Sequence, residues 1–253
     1  RFQPIEVLKP FLVIILATIL CNSRSNILFK YLISIILISV ISLLLIAQPD
    51  IGQTLLVVFC WAVLIFTSGI NIYILLAIFI AGASLLTYLI IYVPRFDYIQ
   101  GRIFSFFNRE TGTHNFQSDK AIESITSGGF FGKGIGEGVL KNRVPEAHTD
   151  YIISVISEEF GVVAIMLILL LFLILIYMVF KKISFETNDK VKLILIGSIS
   201  LILMQATIHV GVNIRLFPTT GMTLPFLSYG GSSIISTSIL AGIILNLTKR
   251  KIT

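Results

Sequence analysis

The chain has 253 residues, 56% hydrophobic and 13% charged, with a mean hydropathy of +0.96. A soluble domain carries about one-quarter charged residues, so this composition excludes an ordinary water-soluble fold and indicates an all-α, polytopic helical membrane protein. The formal net charge of +6 is no sign of nucleic acid, because much of the excess lies in short connections and at the C-terminus.

Apolar runs predict seven spans, roughly 6–21, 31–47, 54–70, 72–93, 151–180, 191–213 and 228–248. The first two are short for a hydrocarbon core of ~30 Å, which takes about 20 helical residues, and are expected to tilt or extend into their polar flanks. Glu6 and Lys9 stand i, i+3 at the start of the first span, placed to form an ion pair; the plain alternative is an interfacial pair with Lys9 snorkelling to the headgroups. Cys21 and Cys60 lie in or at the end of apolar segments, fit no metal spacing and read as packing residues. The turn from Gln48 to Gln53 carries Asp50, positioned to cap the next helix.

The one long connection, 94–150, holds seven Lys/Arg and seven Asp/Glu around a glycine-rich centre, SGGFFGKGIGEG. Its mixed charges and interspersed Phe favour an ordered, functional loop within a single membrane domain, 1–253. The run Gly132-Lys133-Gly134-Ile135-Gly136 lacks the Walker spacing and follows no strand, which argues against a nucleotide P-loop. Bare backbone N–H groups beside Lys133 are nevertheless suited to a pyrophosphate.

The loop leads into VPEAHTDYIISVISEEFG, residues 144–161, where a polar stretch with Glu146, His148 and Asp150 enters an apolar segment. Wound as a helix, Asp150, Ser154, Ser157 and Glu158 share or border one face. Carboxylates at membrane depth face a protein interior or a wet cavity, yet Asp before an apolar run is also an ordinary N-cap. From these residues alone the cap is the first reading of Asp150 and catalysis the second. Further on, Gln205, His209 and Asn213 recur at i, i+4, i+8, a stripe that hydrogen bonding between helices explains without a ligand.

Orientation follows from the basic connections. Lys181, Lys182, Lys190 and Lys192 crowd one loop and Lys249, Arg250 and Lys251 close the chain, with Arg24 and Lys30 on the same side. The positive-inside rule makes that side cytoplasmic, so the 94–150 loop, the 48–53 turn and residues 214–227 face outward.

RFQPIEVLKP (1–10), AQPDIGQT (47–54), SGGFFGKGIGEG (127–138), PEAHTDYIISVISEEFG (145–161) and FPTTGMTLPFLSYGGSS (217–233) occur in the order and spacing of the SEDS family of shape, elongation, division and sporulation proteins. The wording of GKGIGEG and PTTGMTLPFLSYGGSS resembles the division branch rather than the elongation branch. Ile5 stands where the family usually has Ser. Members have ten spans, and the resemblance implies that this chain matches spans four to ten, without the first three.

The resemblance implies a peptidoglycan glycosyltransferase that polymerises lipid II during septal wall synthesis, multi-pass in the bacterial cytoplasmic membrane. Its substrates are lipid II and a glycan on undecaprenyl pyrophosphate. Asp150 matches the family's essential Asp, with general base as its proposed role, which displaces the cap reading. Glu6 and Lys9 match a charged pair in a cavity where lipid-linked substrate docks. Arg102 and Lys133 are candidates for the pyrophosphate, together with a divalent cation, Mg or Mn, although the sequence shows no metal-ligand spacing. A class B penicillin-binding transpeptidase and other divisome membrane proteins are the implied partners, with the bilayer and no nucleic acid. A base works best when its pKa approaches the working pH, so burial and the like charges of Glu158 and Glu159 are expected to raise Asp150. The alternatives are a lipid II flippase and a truncated, non-catalytic scaffold for a penicillin-binding protein.

Overall fold

The computed structural model describes residues 3–22, 26–107 and 113–249. Arg24, Arg250 and Lys251, invoked above for orientation, lie outside the described residues. Among those described, the regular elements are helices: α1 (Pro4–Leu20), α2 (Ile27–Ala47), α3 (Ile51–Thr67), α4 (Ile72–Tyr92), α5 (Asp97–Phe107), α6 (Thr113–Gly128), α7 (Ile152–Phe185), α8 (Asp189–Asn213) and α9 (Gly231–Thr248). The expected all-α membrane fold is present. Five of these helices, α2, α4, α7, α8 and α9, are long and apolar enough to cross a bilayer, and α3 is a shorter apolar helix of 17 residues. The second predicted span begins earlier than its apolar run, at Ile27, taking Lys30 into its first turn.

Local signals set the helix starts. Pro4 occupies the first turn of α1, where its missing N–H costs nothing. Asp50 caps α3 by accepting from the Gln53 N–H at 3.0 Å, as its position predicts, and Asn188 caps α8 through Lys190 and Val191. The centre of the bundle is α8, buried along most of its length against α1, α3, α7 and α9. Outer helices show the reverse: Leu28, Leu32, Ile36, Leu43 and Leu44 on α2, and Ile80, Leu85 and Ile91 on α4, are exposed. Side chains that are apolar on all faces of an outer helix are stable there because lipid, not water, covers them. Cys60 is buried, its Sγ against the Gly197 carbonyl at 3.7 Å, and both cysteines are free.

The long loop is ordered in its described parts, as expected, and contributes α5 and α6. Its glycine-rich centre closes on α7. With 34 residues α7 is about 50 Å long, well beyond a hydrocarbon core of ~30 Å. It is not one continuous rod, however. Gly161 has φ 78° and ψ −179°, which breaks the helix. The first turns, to Phe160, belong to the loop layer with α6, and the remainder forms the span. The continuous helix predicted over 151–180 is therefore corrected by a kink at Gly161.

Candidate active site

Two carboxylates mark the start of α7, and they are treated differently. Glu158 is fully buried. Its Oε2 accepts from Ser124 Oγ at 3.0 Å, and its Oε1 from the Leu140 N–H at 2.9 Å and Lys133 Nζ at 3.5 Å. The kink supplies the other half of this knot. Breaking the helix frees carbonyls, and the glycine loop satisfies them: Lys133 N–H donates to the Glu158 carbonyl at 2.9 Å and Gly134 N–H to that of Glu159 at 3.1 Å. In return, Val162 N–H donates to the Gly129 carbonyl at 3.0 Å. Backbone lies against backbone here. A Cβ on Gly132 would sit 2.1 Å from the Glu159 carbonyl oxygen, and one on Gly161 2.1 Å from that of Phe130, with φ near +78° at both.

This geometry corrects two expectations. The N–H groups of Lys133, Gly134 and Gly136 are engaged by Glu158 and Glu159, not bare for a pyrophosphate. Glu158 and Glu159 point into the knot, and the carboxylates acting on Asp150 are Glu146 and Glu6. Ser154 and Ser157, placed on one face with Glu158, are likewise buried against α6: Ser154 accepts from Ser124 Oγ through its carbonyl, and Ser157 Oγ donates to the Ile125 carbonyl.

Asp150 lies just outside α7. The N-cap is Tyr151, whose side chain makes no cap hydrogen bond. The first reading of Asp150 as a helix cap therefore fails, and the reason is local: the turn from Glu146 to Asp150 holds the chain one residue short of the cap position, with Thr149 and Asp150 N–H groups both donating to the Glu146 carbonyl. The peptide around Asp150 is fixed from below. Three consecutive carbonyls accept donors: His148 from the Tyr229 N–H at 3.0 Å, Thr149 from Ser228 Oγ at 2.6 Å, and Asp150 from Asn213 Nδ2 at 3.1 Å. The Asp150 carboxylate lies against Thr149 and the turn at Gly221, whose φ of +69° and missing Cβ bring the chain close; a Cβ there would meet Asp150 Oδ2 at 3.4 Å. Burial first, and then the charges of Glu146 and Glu6, raise the Asp150 pKa to about 6 against the hydrogen bond from Thr149. Burial and Asp150 together push the Tyr151 phenol upward. The turn before Asp150 opens on a cleft of about 500 Å³, lined by Glu146, His148, Thr149 and Tyr229 among others.

The strap from Thr219 to Tyr229 joins Asp150 to the other predicted residues. Arg102, on α5, donates through Nη1 to the Thr219 carbonyl at 3.1 Å and faces Asp50 and Tyr151. The stripe on α8 holds the strap from inside, as a hydrogen-bonding stripe should, although its partners are mostly loop atoms rather than helices. Gln205 Nε2 donates to the Thr223 carbonyl and hydroxyl and to Ser233 Oγ. His209 Nδ1 lies 2.7 Å from the Met222 carbonyl; a carbonyl only accepts, so that nitrogen carries the proton.

Glu6 and Lys9 are 4% and 1% exposed and form no ion pair with each other among the described residues, which corrects the pair predicted from their spacing. Lys9 Nζ donates to Gln205 Oε1 at 3.2 Å, and Glu6 Oε2 accepts from Ser232 Oγ at the start of α9. The nearest hydrogen-bond partners of the two charges thus come from other helices, α8 and α9, rather than from each other. Asp150, Arg102, Glu6 and Lys9 thus meet around one strap, whereas Lys133 belongs to the Glu158 knot, with its side chain 39% exposed. Gly221, Ser228 and Tyr229 had no assigned role in the sequence reading, and Asn213 was placed only in the α8 stripe, not at Asp150. Gly221, in a polar stretch ahead of Pro225, was the available turn signal.

Among the described residues no three His, Cys, Asp or Glu side chains gather to hold a metal ion. The groups around Asp150 do not fit a protein-held cation.

Known proteins resemble the chain over nearly its whole length. The chain is 32% identical to the probable peptidoglycan glycosyltransferase FtsW of Caulobacter vibrioides, over 98% of this chain and 63% of that protein. It is also 32% identical to the probable peptidoglycan glycosyltransferase FtsW of Enterococcus hirae, over 100% of this chain and 66% of that one. It therefore spans slightly less than two thirds of these relatives' length. A solved chain from a study of how a peptidoglycan synthase complex coordinates polymerization and crosslinking superposes with a TM-score of 0.80 and 27% identity, covering 98% of this chain and 70% of that one. The model of the FtsW, RodA and SpoVE family, described as cell cycle proteins, matches residues 1–252, and the chain belongs to that family.

Proposed function

We propose that this chain carries the catalytic carboxylate of a peptidoglycan glycosyltransferase that polymerises lipid II at the outer face of the cytoplasmic membrane, in septal wall synthesis. One observation carries the reading: three backbone carbonyls at 148–150 are pinned by α8 and the strap, while the Asp150 carboxylate caps no helix and its neighbours Glu146, His148 and Thr149 line an open cleft. The relatives named as glycosyltransferases support it. Asp150 takes the proton of the acceptor hydroxyl as its oxygen attacks the anomeric carbon. The bond from that carbon to the pyrophosphate breaks with inversion, and the leaving group departs with the electron pair. A base with a pKa of about 6 is ionised at neutral pH yet stronger than an ordinary Asp. Arg102 is placed near the same strap to meet developing negative charge.

Seven spans complete the proposed topology, α1 and α3 joining the five long apolar helices. Residues 94–150 and 214–227 then lie outside, with 181–192 and the C-terminus inside. A reporter fused after Thr253 and active only in the periplasm would overturn it. A crosslinking transpeptidase is the proposed partner, given the assembly in which the superposing chain was studied. The flippase reading fares worse, because Glu6, Lys9 and Gln205 are packed shut by hydrogen bonds. The test is polymerisation of purified lipid II by the wild type and Asp150→Asn. Near-normal glycan synthesis by a folded Asn variant would overturn the proposal.

A further inference from the structure

At the end of the bundle away from Asp150 lies a second polar cavity. α1 and α3 end here, at Leu20 and Thr67, and α2 and α8 begin here, at Ile27 and Asp189. Between them is a space of about 410 Å³ lined by Lys30, Lys192, Asp189, Thr67 and Ser68, over an apolar floor from α1 and α8. Lys192 Nζ meets Asp189 Oδ1 at 3.2 Å, but the Asp189 side chain is 82% exposed. Such an exposed i, i+3 pair holds weakly and yields to a better anion. Lys30 makes no ion pair among the described residues.

A phosphate alone would need nothing more than the two lysines. The surroundings offer more. Lys30 stands among residues 26–32, of which Asn26, Ile27, Leu28, Phe29 and Leu32 line an open, shallow groove of about 710 Å³, and Leu28 is 79% exposed. Cationic groups at the helix ends, beside exposed apolar side chains of the first turns of α2, match a molecule with an anionic head and hydrocarbon tails.

We propose that this cavity binds an anionic phospholipid, its phosphodiester between Lys30 and Lys192, its head bordered by Thr67 and Ser68, and its acyl chains along the 27–32 groove of α2. Asp189 is the one acidic group lining the cavity among the described residues, and it opposes the lipid. The site is independent of the glycosyltransferase reading and stands or falls without it.

The experiment is lipid retention by the full chain, purified from bilayers containing phosphatidylglycerol or phosphatidylcholine and measured by native mass spectrometry. Phosphatidylglycerol should be retained in preference to phosphatidylcholine. Lys30→Gln and Lys192→Gln should each lower its retention about fivefold, the Coulombic contribution of one lysine near an anionic headgroup. Lys30→Arg and Lys192→Arg should keep it, and Asp189→Asn should raise it. Lys181→Gln, at the same membrane end but outside the cavity, should leave it unchanged. Equal loss in the Lys181 variant would show diffuse surface attraction and overturn the site. Release of the lipid by millimolar inorganic phosphate, with phosphate raising the melting temperature as much as the lipid does, would show a site for the free anion and overturn the phospholipid. Melting curves of the variants confirm that changed retention does not come from unfolding.

Discussion

Asp150 and Glu158 stand a few turns apart at the head of α7, and the protein holds them by opposite means. Glu158 is gripped by its carboxylate: a hydroxyl, a backbone N–H and a lysine all donate to its oxygens. Asp150 is gripped by its backbone, through donors to its own carbonyl and the two before it. Hydrogen bonds to an ionised carboxylate favour that form and weaken it as a base, whereas burial beside like charge does the reverse. A carboxylate held by its oxygens organises structure, and one held by its peptide has its oxygens left for chemistry.

The largest effect expected is on catalysis. Asp150→Asn keeps size and the contacts of the pinned peptide but removes the proposed base, so lipid II polymerisation should fall by about 10²–10⁴-fold with expression and membrane insertion normal. Residual activity within tenfold of wild type would erase the distinction drawn between the two residues.

Glu158→Gln should act on the fold instead. The amide keeps an oxygen for the Leu140 N–H and turns its N–H2 to Ser124 Oγ, which still donates to the Ser154 carbonyl. What is lost is the charge: hydrogen bonds to a charged group contribute about 1.5–3 kcal/mol against about 1 for neutral ones, and Lys133 no longer faces an anion. Thermal melting should fall by the equivalent of about 1–2 kcal/mol, with the activity per folded molecule largely kept. A variant that melts normally but does not polymerise would move Glu158 into the chemistry.

Much of the frame was legible before any coordinates. Composition and apolar runs located the helices, Asp50 was read as a cap and is one, and the Gln205, His209, Asn213 stripe was read as structural. Asp150 was not legible from its own surroundings, which favoured a cap; the family's motifs assigned it a role. The physical reason is distance along the chain. The donors that shape its turn come from Asn213, Ser228 and Tyr229, and nothing near residue 150 announces them. Glu6 and Lys9 show the same limit: their spacing suggested a pair, but their partners, Ser232 and Gln205, arrive from far along the chain. Gly161 sits in an apolar run that reads as continuous helix, and the loop that makes its break tolerable lies upstream, around Gly132.

The raised pKa of Asp150 sharpens the comparison through pH. Its folded value, about 6, exceeds the ~3.9 of an unfolded Asp, so the folded state binds the proton more tightly. The resulting stability is fully present below about pH 4 and is lost as pH rises through about 6. Two pKa units correspond to about 3 kcal/mol, which sets the upper limit. Asp150→Asn should therefore melt above the wild type at pH 7.5, by up to that amount, and the gap should close between pH 6 and pH 4. Activity should run the other way, rising about tenfold per pH unit toward pH 6 and levelling above it. A gap that stays constant with pH would mean that Asp150 does not titrate in this range.

The smallest effect separates the two roles open to Lys133. It was a candidate for the pyrophosphate, and the structure shows it donating to Glu158 Oε1 at 3.5 Å with its side chain 39% exposed. A half-exposed lysine that loses its partner is re-solvated at little cost, and a pair of this kind contributes about 1 kcal/mol or less. If Lys133 serves only the knot, Lys133→Gln should lower melting slightly and leave polymerisation within about threefold, because the backbone donors to Glu158 and Glu159 remain. If it also meets the leaving pyrophosphate, the same variant should lose more than about tenfold in rate, the effect of about 1.4 kcal/mol of lost transition-state stabilisation, with melting unchanged. The geometry favours the first outcome, since the lysine shares a knot with Glu158 rather than the strap with Asp150 and Arg102. Measured on one preparation, the ratio of the rate change to the melting change decides between them.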